Sequence, residues 1–232
     1  MRINEKSGIS KDSNDIYVYI VNLNNFLIKK TLFWRYLSEE EKTQANQYFT
    51  DTLKERYVIS HGILREILSF YIQKSPHEII FIKNNYGKPF LKDSYVHFNM
   101  SHSHHLMCCT IGYNCKLGID IELHNDDFDF HEISTHIFTS SEKEYFSSLK
   151  AHKSRIQFFY KLWTKKEALS KAIGSGLAYP IDKVDTLKWK IGEKIYSNNE
   201  EWHYFSLGVE CNYSATLVSE AKLQQKVYIN NY

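Results

Sequence analysis

The hydrophobic and polar positions of this chain change period several times, and each change marks an element. Ile16 to Val21 (Ile-Tyr-Val-Tyr-Ile-Val) is β-branched and aromatic and predicts a first strand. Ser38 with Glu41 three residues on is a capping box, which predicts a helix through roughly Phe49. Beyond Asp51, a second candidate cap, Leu53, Tyr57, Leu64, Ile67, Leu68 and Tyr71 recur at helical spacing. That longer helix is expected to stop before Pro76, because the residue preceding a proline is pushed out of the helical region. Glu78 to Lys83 reads as a short strand, Asn84-Asn85-Tyr86-Gly87 as a turn, and Tyr95 to Met100 and His105 to Gly112 as two further strands. Gly118-Ile119-Asp120-Ile121-Glu122 alternates cleanly. In a strand, that sends both isoleucines to one face and both carboxylates to the other.

The second half of the chain has a similar grammar. An acidic loop from Asn125 to Asp129 leads into a short helix near His131 to Phe138, and Thr139-Ser140-Ser141 with Glu142 and Glu144 offers two overlapping capping boxes. A longer helix is expected from about Ser154 to Ile173, stopped by Gly174 and Gly176. Leu187 to Lys194, Trp202 to Glu210 and Tyr213 to Val218 read as antiparallel strands. Strands and helices in blocks predict an α+β fold rather than a wound parallel sheet. The seam is expected between Gly112 and Gly118. No residue-level repeat is evident, so the duplication is one of element order only.

Composition narrows the classes. The chain has 232 residues, 43% of them hydrophobic and 15% aromatic, enough for a folded core of one large or two small domains. No apolar run is long enough to span a bilayer, and the N-terminal stretch to Asp15 lacks the apolar core of a signal peptide. Cys108, Cys109, Cys115 and Cys211 form no C-x-x-C pair, which favours neither zinc nor a disulfide framework. A formal net charge of +2 suggests no nucleic-acid surface. A cytoplasmic location follows as the default.

Three stretches can carry chemistry, and each has a plain structural reading beside the functional one. Asp120 and Glu122, one pleat apart, suit either a hard cation such as Mg²⁺ or the wet face of an ordinary strand. In the long helix, Glu167 and Lys171 are four apart and share a face with Tyr160, Trp163 and Thr164, while Phe158, Leu162, Leu169 and Ile173 are expected to face the core. Such a pair is usually a modest helix stabiliser, although Trp163 is large for a solvated stripe. Finally, Phe98-Asn99-Met100-Ser101-His102-Ser103-His104-His105 suits phosphate oxygens better than zinc, or is simply a turn.

Taken together, these pieces resemble the 4′-phosphopantetheinyl transferases of the large, monomeric, surfactin-synthetase-activating type. The resemblance rests on Tyr86-Gly87-Lys88-Pro89, Phe98-Asn99-Met100-Ser101-His102-Ser103, Gly118-Ile119-Asp120-Ile121-Glu122 and Trp163-Thr164-Lys165-Lys166-Glu167 with Lys171, in the family's order. It implies two similar α+β halves related by a pseudo-twofold, each a small, mostly antiparallel sheet packed with helices, with the active site in the cleft between them. Residues 1–114 would form the half on the adenosine side of coenzyme A, and residues 115–232 the half with the metal-binding carboxylates and the catalytic helix. The implied reaction moves the 4′-phosphopantetheine arm of coenzyme A onto a serine of an apo acyl or peptidyl carrier protein, releasing adenosine 3′,5′-bisphosphate.

The resemblance also implies roles. Asp120, Glu122 and Glu167 would hold Mg²⁺ and Lys171 would meet the transferred phosphate. Glu167, directly or through a water, would be the base for the carrier serine. Ser101 and His102 would contact phosphates, Lys88 and Pro89 the adenosine end, and Arg56 a phosphate. An ungapped match from Ser38 to Arg56 puts Glu41 and Gln44 where the family often carries basic residues for the coenzyme's 3′-phosphate; Lys42, Lys54 or Arg56 could substitute, and Glu41→Lys is expected to tighten coenzyme A binding. Two other readings use the same residues. A metal-dependent nuclease or phosphohydrolase would need a basic stripe that the near-neutral charge balance does not offer. A coenzyme A- or carrier-binding relative without turnover is motivated by Glu41 and Gln44, and opposed by the intact set of Asp120, Glu122, Glu167 and Lys171.

Overall fold

A computed structural model describes residues 15–127, 130–220 and 227–231. The first half runs β1 (Ile16–Asn22), α1 (Lys30–Tyr36), α2 (Glu39–Asn46), α3 (Asp51–Ile72), a short hairpin of β2 (Phe81–Lys83) and β3 (Pro89–Leu91), then β4 (Val96–Ser103) and β5 (Leu106–Tyr113). The second runs β6 (Leu117–Leu123), α4 (Phe130–Ile137), α5 (Ser140–Ser148), α6 (His152–Ile173), β7 (Lys194–Ser197), β8 (Glu200–Ser206) and β9 (Tyr213–Ser219), and β10 (Val227–Asn231) closes the set. The α+β architecture expected from the sequence is the one observed. Two four-stranded sheets, ordered β10-β1-β5-β4 and β6-β9-β8-β7, each carry one 22-residue helix, α3 or α6. No described helix is long and apolar enough to cross a membrane.

Local signals account for most boundaries. Ser38 and Glu41 form the expected capping box, with Ser38 N–H donating to Glu41 Oε2 at 2.8 Å and Glu41 N–H to Ser38 Oγ at 3.2 Å. Of the two overlapping boxes before α5, the one realised is Thr139 with Glu142. Thr50, rather than Asp51, caps α3. The long helices end on left-handed residues, Gln73 (φ 53°) and Gly174 (φ 85°). Residues 187–194 depart from expectation. Asp185 accepts from Leu187 N–H and Thr186 O from Trp189 N–H, so turns replace the expected strand, and β7 starts only at Lys194. Helix α1 and strand β10 were not anticipated. β10 pairs in parallel with β1, so residues 227–231, numbered with the second half, lie in the first sheet.

The observed registers reveal a repeat that inspection of the sequence misses. Strand Ile16–Asn22 recurs as Leu117–Leu123 and helix Asp51–Ile72 as His152–Ile173, an offset of 101 positions (16 to 117, 51 to 152). At this offset Arg65-Glu66-Ile67-Leu68-Ser69 aligns with Lys166-Glu167-Ala168-Leu169-Ser170. The capping glutamates match too, and each is tied to a buried cation of the long helix. Arg65 meets Glu41 at 2.7 Å, and Lys166 meets Glu142 at 2.7 Å. Each pair ties a short helix to its long one, and an ion left alone there would be strongly destabilising.

The core has one section in the first half, two in the second and one shared between them. Val18 and Cys108 of the first sheet pack with Ile119, Ile121 and Leu217 of the second. The isoleucines of β6 are therefore fully buried behind the strand, as the alternation requires. Helix α6 is buried over more of its girth than its periodicity suggests. Leu162 and Leu169 are buried as expected, but Thr164, Lys166, Ala168, Ser170 and Ala172 are too, while Phe158 and Ile173 are only partly covered. The helix packs on β6 and β9 on one side and near α4 and α5 on the other, so no face is left simply polar.

Candidate active site

The site is built where β6 and α6 touch. A Cβ at Gly118 would collide with the Ala168 carbonyl oxygen and the Ala172 nitrogen, so only glycine lets the helix backbone lie directly on the strand. Ala168 and Ala172 form the contacting stripe, and the residue before each, Glu167 and Lys171, flanks it. Lys171 Nζ reaches Asp120 Oδ1 at 2.6 Å and Ser101 Oγ at 3.1 Å. The exposed i,i+4 pair of the bland reading is thus replaced: Lys171 joins Asp120 across the site, with side chains 28% and 3% exposed respectively.

The free edge of β6 faces β4, whose alternate residues Asn99, Ser101 and Ser103 point at it. Asn99 Oδ1 accepts from Ile119 N–H at 2.8 Å, and Ser101 Oγ donates to Asp120 Oδ1 at 2.9 Å. Ser103 Oγ donates to Glu122 Oε2 at 2.9 Å and accepts from Leu123 N–H at 3.0 Å. The indole N–H of Trp163 also favours the Glu122 carboxylate, while its ring stacks on Phe159 with planes 7° apart. Trp163 is therefore a partly covered residue and not part of a solvated stripe.

All three carboxylates are held above the ordinary range. Burial is the main cause for each. Lys171 partly offsets it for Asp120, and the neighbouring Asp120 charge adds to it for Glu122 and Glu167. Three acids that repel one another in a poorly solvated place call for a cation. Asp120 Oδ2 is buried without a hydrogen-bond partner, an acceptor-only atom that suits one. The donor set is all carboxylate oxygen, which fits Mg²⁺, although among the described residues no three potential ligands converge as a formed metal cage.

A cleft of about 840 Å³ opens beside this cluster, with Lys171 at one end and Tyr57, His61 and Arg65 of α3 in its wall. The hairpin loop forms the opposite rim. Asn84 Nδ2 donates to Gly174 O at 2.7 Å, and Lys88 Nζ donates to Leu117 O at 3.1 Å and Ala172 O at 3.2 Å. Lys88 thus reaches across to cap the end of α6, and burial lowers its ammonium to about 8. Pro89 lies beside it in the same wall. His102 and Arg56 stand outside this lining. His102 projects from the opposite pleat of β4 with its side chain exposed, and desolvation by the surrounding protein, then Lys171 and Arg56, lower its imidazole below its usual range.

Glu41 and Gln44 do line the cleft, as the match predicted. Glu41 is not a bare negative charge there, because Oε2 accepts from Arg65 Nε at 2.8 Å and from Ser38 N–H. Of the possible substitutes, Lys42 is paired with Glu39 and Lys54 bonds Asn46 over the Trp34 ring, leaving Arg56, whose charge lowers the imidazoles of His102 and His104. The sequence placed Asn99 and Ser103 only within the stretch from Phe98 to His105 and Asn84 only in a turn, and gave none of the three a role of its own. The i, i+2, i+4 spacing of Asn99, Ser101 and Ser103 was a visible signal, but the strand they face was not.

Known proteins bear on this geometry. The family model of the 4′-phosphopantetheinyl transferase superfamily matches residues 116–218, which include β6 and α6. Similar curated proteins are the 4′-phosphopantetheinyl transferase HetI of Nostoc sp., 34% identical over 61% of this chain and 61% of that protein, and the enzyme Sfp of Bacillus subtilis, 30% identical over 65% and 66%. The matched region thus spans about three fifths to two thirds of these relatives' lengths. The 4′-phosphopantetheinyl transferase gsp of Aneurinibacillus migulanus is 35% identical over 70% of this chain and 67% of its own length. With that identity, and with its own acidic strand packed on the helix that supplies Glu167 and Lys171, the chain belongs to the 4′-phosphopantetheinyl transferase superfamily.

Proposed function

We propose that the protein transfers the 4′-phosphopantetheine group of coenzyme A to a serine hydroxyl of an apo acyl or peptidyl carrier protein, yielding the holo carrier and adenosine 3′,5′-bisphosphate. The observation that carries this reading is Asp120: a buried carboxylate bonded to Lys171 and Ser101, with one oxygen unpartnered, beside a cleft of about 840 Å³. Asp120, Glu122 and Glu167 would hold Mg²⁺, which when bound supplies charge neutralisation for the pyrophosphate oxygens. Lys171 binds the phosphoryl group being transferred and offsets its developing charge, Ser101 beside it contacts a neighbouring phosphate oxygen, and His102, on the other face of β4, meets a more distant phosphate. Arg56 supplies a cation on the His102 side, while Lys88 and Pro89 line the adenosine end.

The bond made joins the carrier serine Oγ to the phosphorus of the phosphopantetheine arm, and the bond broken is that phosphorus to the bridging oxygen of the pyrophosphate. Glu167 takes the serine proton. The role asks that the carboxylate, or a water it holds, come within hydrogen-bond reach of the serine hydroxyl. The cleft is completed within one chain, so the same reading implies a monomer, acting in the cytoplasm. The test is to incubate the protein with coenzyme A, Mg²⁺ and several apo acyl and peptidyl carriers and weigh the carriers. A gain of one phosphopantetheine mass is expected; no gain on any carrier would overturn the proposal.

A further inference from the structure

A strand at the rim of a sheet presents a row of unpaired N–H groups that another strand would normally satisfy. On β6, two of these are met by side chains of the other half, Ile119 N–H by Asn99 Oδ1 and Leu123 N–H by Ser103 Oγ. Ser103 is the more constrained of the two. A backbone N–H can only donate, so the hydroxyl must accept from Leu123 and has a single proton left to give. That proton goes to Glu122 Oε2, at 2.9 Å. One hydroxyl thereby fixes the carboxylate and the backbone on either side of the Glu122–Leu123 peptide. Ser101 likewise donates to Asp120, but it accepts from Lys171 instead of the β6 backbone; Glu122 has Trp163 as its second donor.

We infer that Ser103 is a positioning residue: it clamps Glu122 to the edge of β6 across the junction of the two halves, so that the carboxylate presents its oxygens to a divalent cation shared with Asp120 and Glu167. Rigid outer partners of a ligand set its orientation, and losing one weakens metal binding without removing a ligand. The cation arm of this inference rests on the metal reading given above; the clamp itself does not.

The test uses the full chain with Mn²⁺ as the probe, bound ion being read from the loss of the free-ion electron paramagnetic resonance signal. Ser103→Ala is expected to weaken Mn²⁺ binding roughly ten-fold, and Ser103→Thr, which keeps the hydroxyl, to stay within about two-fold of the wild type. Wild-type affinity in Ser103→Ala, or equal loss in both variants, would overturn the clamp. If the wild type and Glu122→Gln bind Mn²⁺ alike, the carboxylate–metal reading fails instead. A metal-free crystal structure of Ser103→Ala then decides the clamp: a displaced Glu122 carboxylate supports it, and one left in place overturns it.

Discussion

The two halves share their first strand and their helices at an offset of 101 positions, yet among the described residues the acidic cluster lies in the second half alone. In the first half the strand–helix contact is aromatic. Tyr19 on β1 and Tyr71 on α3 are buried and share a hydroxyl–hydroxyl bond of 2.6 Å, and Phe70 beside them lies against solvent. At the matching positions the second half has Asp120, Ala172 and Lys171, with Gly118 in place of Tyr17. Small residues draw helix and strand together, and the volume once filled by rings is left to a carboxylate and an ammonium. The strand edges differ as well. β1 is covered by β10 through its backbone, while β6 meets only the side chains of β4. A backbone ladder would have consumed the space from which a substrate could reach Asp120.

The sharpest way to break this comparison is to remove the chemistry from one half. Asp120→Ala and Glu167→Ala are each expected to lower carrier loading roughly a thousand-fold, measured by mass spectrometry of the carrier. Tyr19→Phe, at the matching position, is expected to leave loading within the error of the assay; a comparable loss there would mean that both halves contribute reacting groups.

The two buried ion pairs should behave as equivalents. Arg65→Met and Lys166→Met each leave a glutamate buried without its cation, and each is expected to cost about 3–5 kcal/mol in urea unfolding. The paired change Glu142→Leu with Lys166→Met is expected to recover only part of that loss, because Glu142 also accepts from Thr139 N–H and from Thr186 N–H and hydroxyl. Glu41→Lys, which the sequence alone suggested would tighten coenzyme A binding, is now expected to destabilise the protein, because it sets a lysine against Arg65. Calorimetric tightening with unchanged stability would show that the pair is dispensable.

Next in size, Gly118→Ala should cost about 1–3 kcal/mol by forcing α6 off β6, and should lower loading as Lys171 retreats from Asp120. Retained loading would mean that the helix adjusts without moving its charged residues. The smallest effect is on acid stability. Burial lowers the His61 imidazole from 6.5 to about 4, so the folded state disfavours its charged form. Its contribution is fully present above pH 6.5 and is lost as pH falls toward 4. The raised carboxylates act in the opposite sense, gaining relative stability on protonation. His61→Phe should therefore flatten the fall in unfolding free energy between those pH values, and an unchanged slope would place its origin elsewhere.

Much of this was legible in the chain itself. The capping boxes at Ser38 and Thr139, the glycine stop at Gly174 and the alternation of Gly118 to Glu122 are local codes, satisfied within a few residues, and the structure realises each of them. The period of apolar positions likewise marked the two long helices, because burial on one side is a property of the element. Residues 187–194 show the limit of that logic: Leu187, Trp189 and Ile191 alternate like a strand, yet Leu187 and Ile191 are exposed and Asp185 and Thr186 set turns there instead.

What the tertiary structure alone decided was which distant groups meet. Ser103 and Glu122, Lys88 and Ala172, Glu41 and Arg65 are joined by the packing of one half on the other or of a short helix on a long one. Spacing cannot foretell such partners, because they depend on which strand edge faces which and on how closely Gly118 lets a helix approach. By itself the sequence determined most of the elements and the family, and pointed to the candidate acids. Only the fold made Lys171 the partner of Asp120, and gave the edge of β6 to the side chains of β4.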